Sequence, residues 1–290
     1  MTQNKALDSM DVDSHGDRIA LPRRLRPMSF TRRAAATLIA ACALLPAPLL
    51  AQATTDYDKI VEAKTVRAGA VEASPWYERD LVTGEWTGLV PDILDAIFTP
   101  KGIAVEYVET QWGTAVAGLQ SGRFDLMGAY NETPERAQAI DFTKPIGGLR
   151  LSILTLTGEA ADYENWDKID ADARRLAVID GSGAARIMPP RLTHAQWTAV
   201  PSSDTMFLEL ESGRVDAIVT SDAQIADYLS SRGRGTMVIP QPVEALPTNI
   251  GLRKAEDPAL RDWLNAELDR LAADGSLEKI WAKYTTPHAD

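Results

Sequence analysis

The chain has 290 residues, 45% of them hydrophobic and 24% charged, and a formal net charge of −11. That acidity argues against partners held through phosphates or anionic lipid headgroups, while the length gives enough core for two modest domains without covalent staples. One cysteine, Cys42, and histidines without metal-ligand spacing (His194 and His288 in the body of the chain) argue against a disulfide, a thiol nucleophile or a zinc centre, and no cofactor is expected.

The first 53 residues read as an export signal. Arg32 and Arg33 precede an apolar run, Ala34 to Leu50, that ends at Ala51-Gln52-Ala53. A basic start, an apolar middle and an A-x-A end describe a secretory signal peptide cleaved after Ala53. The run is too short, and too broken by Pro46 and Pro48, for a good membrane-spanning helix. Met28 would give a signal of ordinary length, so residues 1–27 read as a mis-assigned start or an extension. Thr31-Arg32-Arg33 resembles a twin-arginine signal, which leaves that route open beside the general secretory one. Ile39-Ala40-Ala41-Cys42 resembles a lipoprotein site, but the residues after Cys42 stay apolar, which favours cleavage at Ala53 and a soluble product. Removing residues 1–53, with 7 Lys/Arg and 4 Asp/Glu, takes the net charge from −11 to −14 and leaves no cysteine.

The mature part alternates strands and helices. Thr65 to Val71 reads as a strand. A loop with Ser74-Pro75-Trp76-Tyr77 and Gly84-Glu-Trp86-Thr-Gly88 follows. Leu89 to Phe98 is a helix, Ile103 to Val108 a strand and Trp112 to Leu119 a second helix. Asp141-Phe-Thr-Lys-Pro145 opens a strand-rich passage, Leu149 to Leu156. A second set repeats the alternation: strand Leu176 to Ile179, a Gly181-Ser-Gly183 turn into a helix, strand Trp197 to Val200, helix Asp204 to Leu210 and strand Met237 to Ile239. Pro240, Pro242 and Pro247 mark an irregular connection. Asp257-Pro258 caps a helix with Leu260, Trp263, Leu264, Leu268 and Leu271 on one face. Asp274-Gly275-Ser276 ends it and caps a last helix with Ile280, Trp281 and Tyr284.

One phrase occurs twice. Leu119-Gln-Ser-Gly-Arg-Phe-Asp125 returns as Leu210-Glu-Ser-Gly-Arg-Val-Asp216. Each copy ends a helix on a glycine (Gly122, Gly213) suited to the left-handed turn and leads into a short apolar strand. Two like-built α/β lobes follow from this, each a mostly parallel sheet covered by helices. The C-terminal tail is expected to pack on the first lobe, so that the chain crosses between lobes near 145–150 and 243–250, a natural hinge. The expected division is 54–147 plus 249–290 for the first lobe and 148–248 for the second.

Ligands in open α/β sheets sit at the carboxyl ends of strands. After the first repeated strand come Ala129-Tyr-Asn131-Glu-Thr133-Pro-Glu-Arg136. Thr133 reads as a helix cap, Pro134 as the first helical residue and Arg136 as the third, a guanidinium suited to a carboxylate. The competing reading is a surface arginine paired with Glu132 or Glu135. Gly181, Ser182 and Gly183 open a helix with small residues that let backbone N–H groups approach an anion. After the second repeat, Ser221 or Asp222 could take an ammonium, or simply cap a helix. Trp76 and Trp112 are candidate pocket walls or core. Glu72, at the end of the first strand, could counter a second cationic group.

These segments resemble the bacterial extracellular solute-binding proteins of family 3, the periplasmic amino-acid-binding family. The likeness runs from about Lys64 to Tyr284 and includes Gly88-Leu-Val-Pro-Asp92, the two repeats, Thr133-Pro-Glu-Arg136 with Asp141-Phe-Thr-Lys-Pro145, Gly181-Ser-Gly183, Gly251-Leu-Arg-Lys254 and Asp274-Gly-Ser-Leu-Glu-Lys-Ile-Trp281. The resemblance implies a type II periplasmic-binding fold with two hinge crossovers. It implies a ligand carboxylate on Arg136, helped by the Gly181–Gly183 amides, and a polar contact from Asn131. In that family an acid five residues past the second repeat's Asp binds the α-amino group. Here Ser221 holds that position and Asp222 follows one later. The aromatic expected in the first loop is replaced by Ala73, with Trp76 beyond the proline.

The resemblance implies a monomeric periplasmic component of an ABC importer. It would bind a small carboxylate, an amino acid or a relative, by hinge closure and deliver it to a membrane permease. The alternative is a periplasmic enzyme on the same scaffold, similar to cyclohexadienyl dehydratase, with Glu72, Asp222 or Glu132 as acid or base.

Overall fold

The computed structural model describes residues 54–255 and 257–285; the segment read from sequence as an export signal, with Cys42, and His288 lie outside the described residues. Helix α1 (Asp56–Ala63) leads into β1 (Thr65–Ala70), a hairpin of β2 (Glu78–Arg79) and β3 (Trp86–Thr87), α2 (Leu89–Phe98), β4 (Ala104–Glu109), α3 (Ala115–Gln120), β5 (Leu126–Tyr130), α4 (Pro134–Ala139) and β6 (Ile140–Phe142). Strand β7 (Gly147–Thr155) carries the chain into a second set. It comprises α5 (Trp166–Ile169), β8 (Arg175–Ile179), α6 (Gly183–Arg191), β9 (Gln196–Val200), α7 (Ser203–Glu211), β10 (Ala217–Ser221), α8 (Asp222–Arg232) and β11 (Thr236–Val238). Strand β12 (Ala245–Arg253) returns, followed by α9 (Ala259–Ala273) and α10 (Ser276–Thr285).

The strands lie in the order β4-β1-β5-β12-β7-β10-β8-β9, with β11 also on β7 and β6 also on β12. Within each lobe the outer ladders are parallel: β1 with β4 and β5, β8 with β9 and β10. That is the pattern of a two-lobed α/β fold in which helices return the chain between parallel strands.

The repeated phrase has the same bonding in both lobes. Gly122 (φ 68°) and Gly213 (φ 69°) both take the left-handed turn, and their N–H groups donate to Leu119 O and Leu210 O. The Asp that ends each copy then locks the adjacent parallel strand. The Asp125 carboxylate accepts from the backbone N–H of Arg67 (2.9 Å) and from its guanidinium (2.6 Å). The Asp216 carboxylate does the same for Arg175, at 2.8 and 2.5 Å. In return, Asp125 and Asp216 donate their own N–H to the carbonyls of Arg67 and Arg175. The repeat therefore encodes lobe construction rather than chemistry.

Two nine-residue strands join the lobes. β7 pairs antiparallel with β12 through Gly147–Arg150 and Ala245–Thr248; beyond that stretch β7 pairs with β10 and β11, and β12 with β5 and β6. The sequence reading left 240–247 irregular because of its prolines, yet Pro247 lies inside β12. Leu151 N–H donates to Glu244 O, which makes 151/244, 149/246 and 147/248 the bonded pairs. Pro247 faces Gly148 at an unbonded pair, where a missing N–H costs no ladder bond.

Burial follows the period of two. In the second lobe, Leu154, Ala177, Ile179 and Ile218 pack on one face with Met206 and Ile225. Leu151, Ile153, Leu176, Val178 and Val219 pack on the other with Trp166, Ile169 and Met188. The tail packs on the first lobe: Trp263 lies 5.2 Å from Tyr57 and 5.3 Å from Phe98, Lys283 pairs with Asp92 at 2.8 Å, and the Trp281 indole donates to Ile146 O at 2.6 Å, beside the crossover.

Candidate functional site

The site begins with an irregularity in β5. Its partner β12 advances from Asn249 to Gly251 while β5 goes from Tyr130 back to Met127, so β5 carries an extra residue. Ala129 absorbs it with φ 52°, a left-handed conformation uncommon for a residue with a Cβ. Tyr130 and Asn131 follow directly. Thr133 then caps α4, its hydroxyl accepting from Arg136 N–H at 3.2 Å, with Pro134 in the first turn.

This local geometry sends the Arg136 side chain inward. The residue is 2% exposed. Its guanidinium carbon lies 3.8 Å from the centre of the Tyr130 ring. Nη1 donates to Asn131 O at 2.8 Å and Nη2 reaches Gly181 O, on the opposite lobe, at 2.5 Å. Nε is buried without a partner. Burial lowers its pKa to about 10, an effect the neighbouring Tyr130 partly opposes. An unpaired buried cation costs about 3–5 kcal/mol relative to a paired one. A guanidinium held this way keeps one donor unspent.

Arg136 opens on a narrow interlobe cavity of about 50 Å³. The first lobe contributes Ala73, Trp76, Trp112, Ala129, Tyr130 and Asn131. The second contributes Leu151, Ile179, Ser182, Gly183, Ala184, Thr220, Ser221 and Gln224, and Leu149 and Leu246 come from the crossover. Ser182 caps α6, its hydroxyl accepting from Ala185 N–H at 3.1 Å, which leaves the first-turn amides of Gly183 and Ala184 without helix carbonyls to bond. Ser221 caps α8 in the same way through Gln224 N–H at 3.1 Å. Asn131 donates to Pro247 O at 2.9 Å, and its side-chain oxygen lies 2.5 Å from where a Cβ on Gly183 would be, so a larger residue there would have to displace the Asn131 amide.

Eight sequence-predicted residues thus line one cavity: Arg136, Asn131, Ala129, Ser182, Gly183, Ser221, Trp76 and Trp112. Gly181 stands just behind them, offering its carbonyl to Arg136 rather than an amide to a ligand. Two residues lie elsewhere. The Asp222 carboxylate is drawn to Arg150, accepting from its N–H at 3.1 Å and its Nε at 2.6 Å, and faces the crossover instead. Glu72 is exposed and lines an outer space of about 700 Å³ at the lobe boundary. Glu132 is exposed and outside the cavity lining. The sequence reading missed Tyr130, Thr220 and Gln224. Tyr130 sits between two chosen residues, and Gln224 lies in the first turn of α8, where its side chain turns back to the Thr220 hydroxyl at the end of β10. Among the described residues no cluster of His, Cys, Asp or Glu is placed to hold a metal, and no helix is long and apolar enough to cross a membrane.

Comparisons with known proteins bear on the family and the fold. The family model of bacterial extracellular solute-binding proteins, family 3, matches residues 66–287. A probable amino-acid ABC transporter-binding protein of Haemophilus influenzae is 25% identical over 78% of this chain and 88% of its own. The L-cystine-binding protein TcyA of Bacillus subtilis is 23% identical over 74% and 78%. Among solved structures, an ancestral amino acid-binding protein described as a precursor of cyclohexadienyl dehydratase superposes with a TM-score of 0.73 at 27% identity, covering 80% of this chain and all of that one. A solute receptor for L-cysteine from Neisseria gonorrhoeae shares the fold, with a TM-score of 0.69 at 22% identity over 79% and 93% of the two chains.

Proposed function

Because the chain belongs to the bacterial extracellular solute-binding proteins of family 3, we propose that it is the periplasmic binding component of an ABC importer, and that it takes a small carboxylate, an amino acid or a relative, between its lobes. The observation that carries this is Arg136: a cation 2% exposed, with an orphaned Nε, at the end of a cavity lined from both lobes. The ligand carboxylate replaces the contacts of the guanidinium with Asn131 O and Gly181 O and gains the Ser182–Ala184 segment on the other side. A ligand that touches both lobes binds the closed form better than the open one, so it shifts the equilibrium toward closure. The β7/β12 pair is the hinge, and lobe boundaries near 147 and 249 follow from it.

Relatives with transport names support the importer role, and the permease would read the closed form. The dehydratase-like alternative draws on one structural neighbour. Its candidate acids Glu72, Glu132 and Asp222 do not line the cavity, so the residues favour binding.

The test is thermal unfolding of the purified protein against amino acids and small carboxylates, followed by calorimetry. A specific ligand raises the melting temperature in proportion to occupancy, and Arg136→Ala removes that shift while still melting cooperatively. An unchanged affinity in Arg136→Ala would refute the assignment.

A further inference from the structure

The charge and hydrogen-bond sense of the cavity wall narrow the ligand further. Among the described residues that line it, Arg136 is the one ionised side chain; the others are apolar or neutral. Two of the acids nearby are paired, and four others lie outside the lining: Asp180, whose carboxylate sits beside Gly113, and three along an outer space that shares Ala73 and Gln224 with the cavity. Asp222 is bound to Arg150 and Glu135 to Arg186, while Glu72, Asp204 and Asp227 line the outer space.

The neutral polar groups offer the cavity donors and, at Asn131 Oδ1, an acceptor, but no second charge. The Ser182 and Ser221 hydroxyls each accept a backbone N–H from their own helix, at 3.1 Å in both cases, so each has its hydrogen free for the cavity. The Thr220 hydroxyl donates to the Gln224 carbonyl oxygen, and the Gln224 amide in turn donates to Ser203 Oγ at 2.8 Å. Gly183 and Ala184 add first-turn amides. Two serine hydroxyls and two first-turn amides beside one guanidinium suit ligand oxygen atoms, while the Thr220 hydrogen is spent within the wall. An ammonium on the carbon next to the carboxylate would lose its water without meeting a carboxylate of the lining, in the same cavity as the Arg136 cation.

We propose that the ligand is a carboxylic acid whose adjacent carbon bears an oxygen, an oxo or hydroxy acid, in preference to the corresponding α-amino acid. This rests on the reading of the interlobe cavity as a carboxylate site. The Ser221 hydroxyl, at the opposite lobe from Arg136, donates to that oxygen, and Arg136 takes the carboxylate.

Matched triplets test it by calorimetry on the purified protein: pyruvate, lactate and alanine; 4-methyl-2-oxopentanoate, 2-hydroxy-4-methylpentanoate and leucine; phenylpyruvate, phenyllactate and phenylalanine. In each triplet that binds, the oxo or hydroxy acid is expected to be at least tenfold tighter than the amino acid. A tighter amino acid overturns the proposal and leaves the carboxylate site standing. Absence of binding across all three triplets by a protein that melts cooperatively overturns the proposal and counts against the carboxylate site. Ser221→Asp supplies a carboxylate and remains a good helix cap, so it is expected to move the preference toward the amino acid by at least tenfold. An unmoved preference in a folded Ser221→Asp variant also overturns the proposal.

Discussion

Gly181 lies against Gly113 across the cleft, so close that a Cβ on Gly181 would overlap the N and Cα of Gly113. The two belong to opposite lobes, and neither has a side chain to yield. Gly181→Ala therefore holds the lobes apart and is expected to weaken ligand binding at least tenfold. The left-handed backbone at Gly181 (φ 68°) adds a stability cost of about 1–2 kcal/mol. Gly213→Ala separates the two effects: it has the same backbone strain (φ 69°) with nothing near its Cβ. That variant should lose similar stability and keep its affinity. Calorimetry and urea unfolding of the pair decide the matter, and equal affinities in both variants would count against closure through this contact.

On the proposed reading, Arg136 sets binding against stability. Its buried charge has no carboxylate partner among the described residues, and its Nε bonds to nothing. Replacement by methionine keeps the length and removes the charge. Arg136→Met should therefore be neutral or stabilising by about 1 kcal/mol in the ligand-free protein, while ligand-dependent stabilisation disappears. A variant that is less stable by more than about 2 kcal/mol would show that the guanidinium is a structural element of the first lobe instead.

Glu135 and Arg186 form an ion pair between α4 and α6 that spans the lobes at 2.5 Å. The Glu135 side chain is 74% exposed, which places the pair among surface bridges worth about 0–1 kcal/mol. Glu135→Gln should change ligand affinity less than about fivefold, and the change should shrink in high salt. A larger, salt-insensitive loss would mean that this pair, and not the ligand, holds the closed form.

What could be read in advance was local. Thr133, Pro134 and Arg136 were placed correctly because capping joins residues three apart and needs no knowledge of the rest of the fold. The repeat announced two lobes because its glycine and aspartate are each fixed by one neighbouring strand. Long-range choices were harder. Asp222 seemed a ligand residue, but its direction is decided by Arg150, seventy-two positions away. Glu72 follows a buried strand, yet its side chain turns outward once the strand ends at Ala70. Pro247 looked like a strand breaker because the pairing that leaves its nitrogen free depends on the register with β7. Helix α1 was overlooked although Thr55 and Asp58 form its capping box, a signal present in the sequence itself.

His194 and Asp170 give a pH dependence whose sign is fixed by their contact. The ring Nδ1 of His194 lies 2.8 Å from an Asp170 carboxylate oxygen, and Asp170 also accepts from the N–H groups of His194 and Ala195. The hydrogen bond to Asp170, then its charge, raise the His194 pKa above 6.5. Partial burial works to raise the Asp170 pKa, but the bonds from His194 and the two amides outweigh it and lower it below 3.8. A raised folded-state pKa on a base means that the folded state holds its proton more tightly. The contribution is complete below the unfolded value of 6.5 and fades as pH rises through the folded value. For Asp170 the lowered pKa gives a contribution present above 3.8 and lost as pH falls through the folded value. Between those limits the pair is fully formed. His194→Gln should therefore lower the melting temperature most at about pH 5 and converge on the parent protein above the folded histidine pKa. Because both groups sit near the surface, the difference is small, and the sharper readout is the His194 ring titration by NMR. A ring that titrates at or below 6.5, or a melting difference that grows with pH, would show that the contact does not persist in solution.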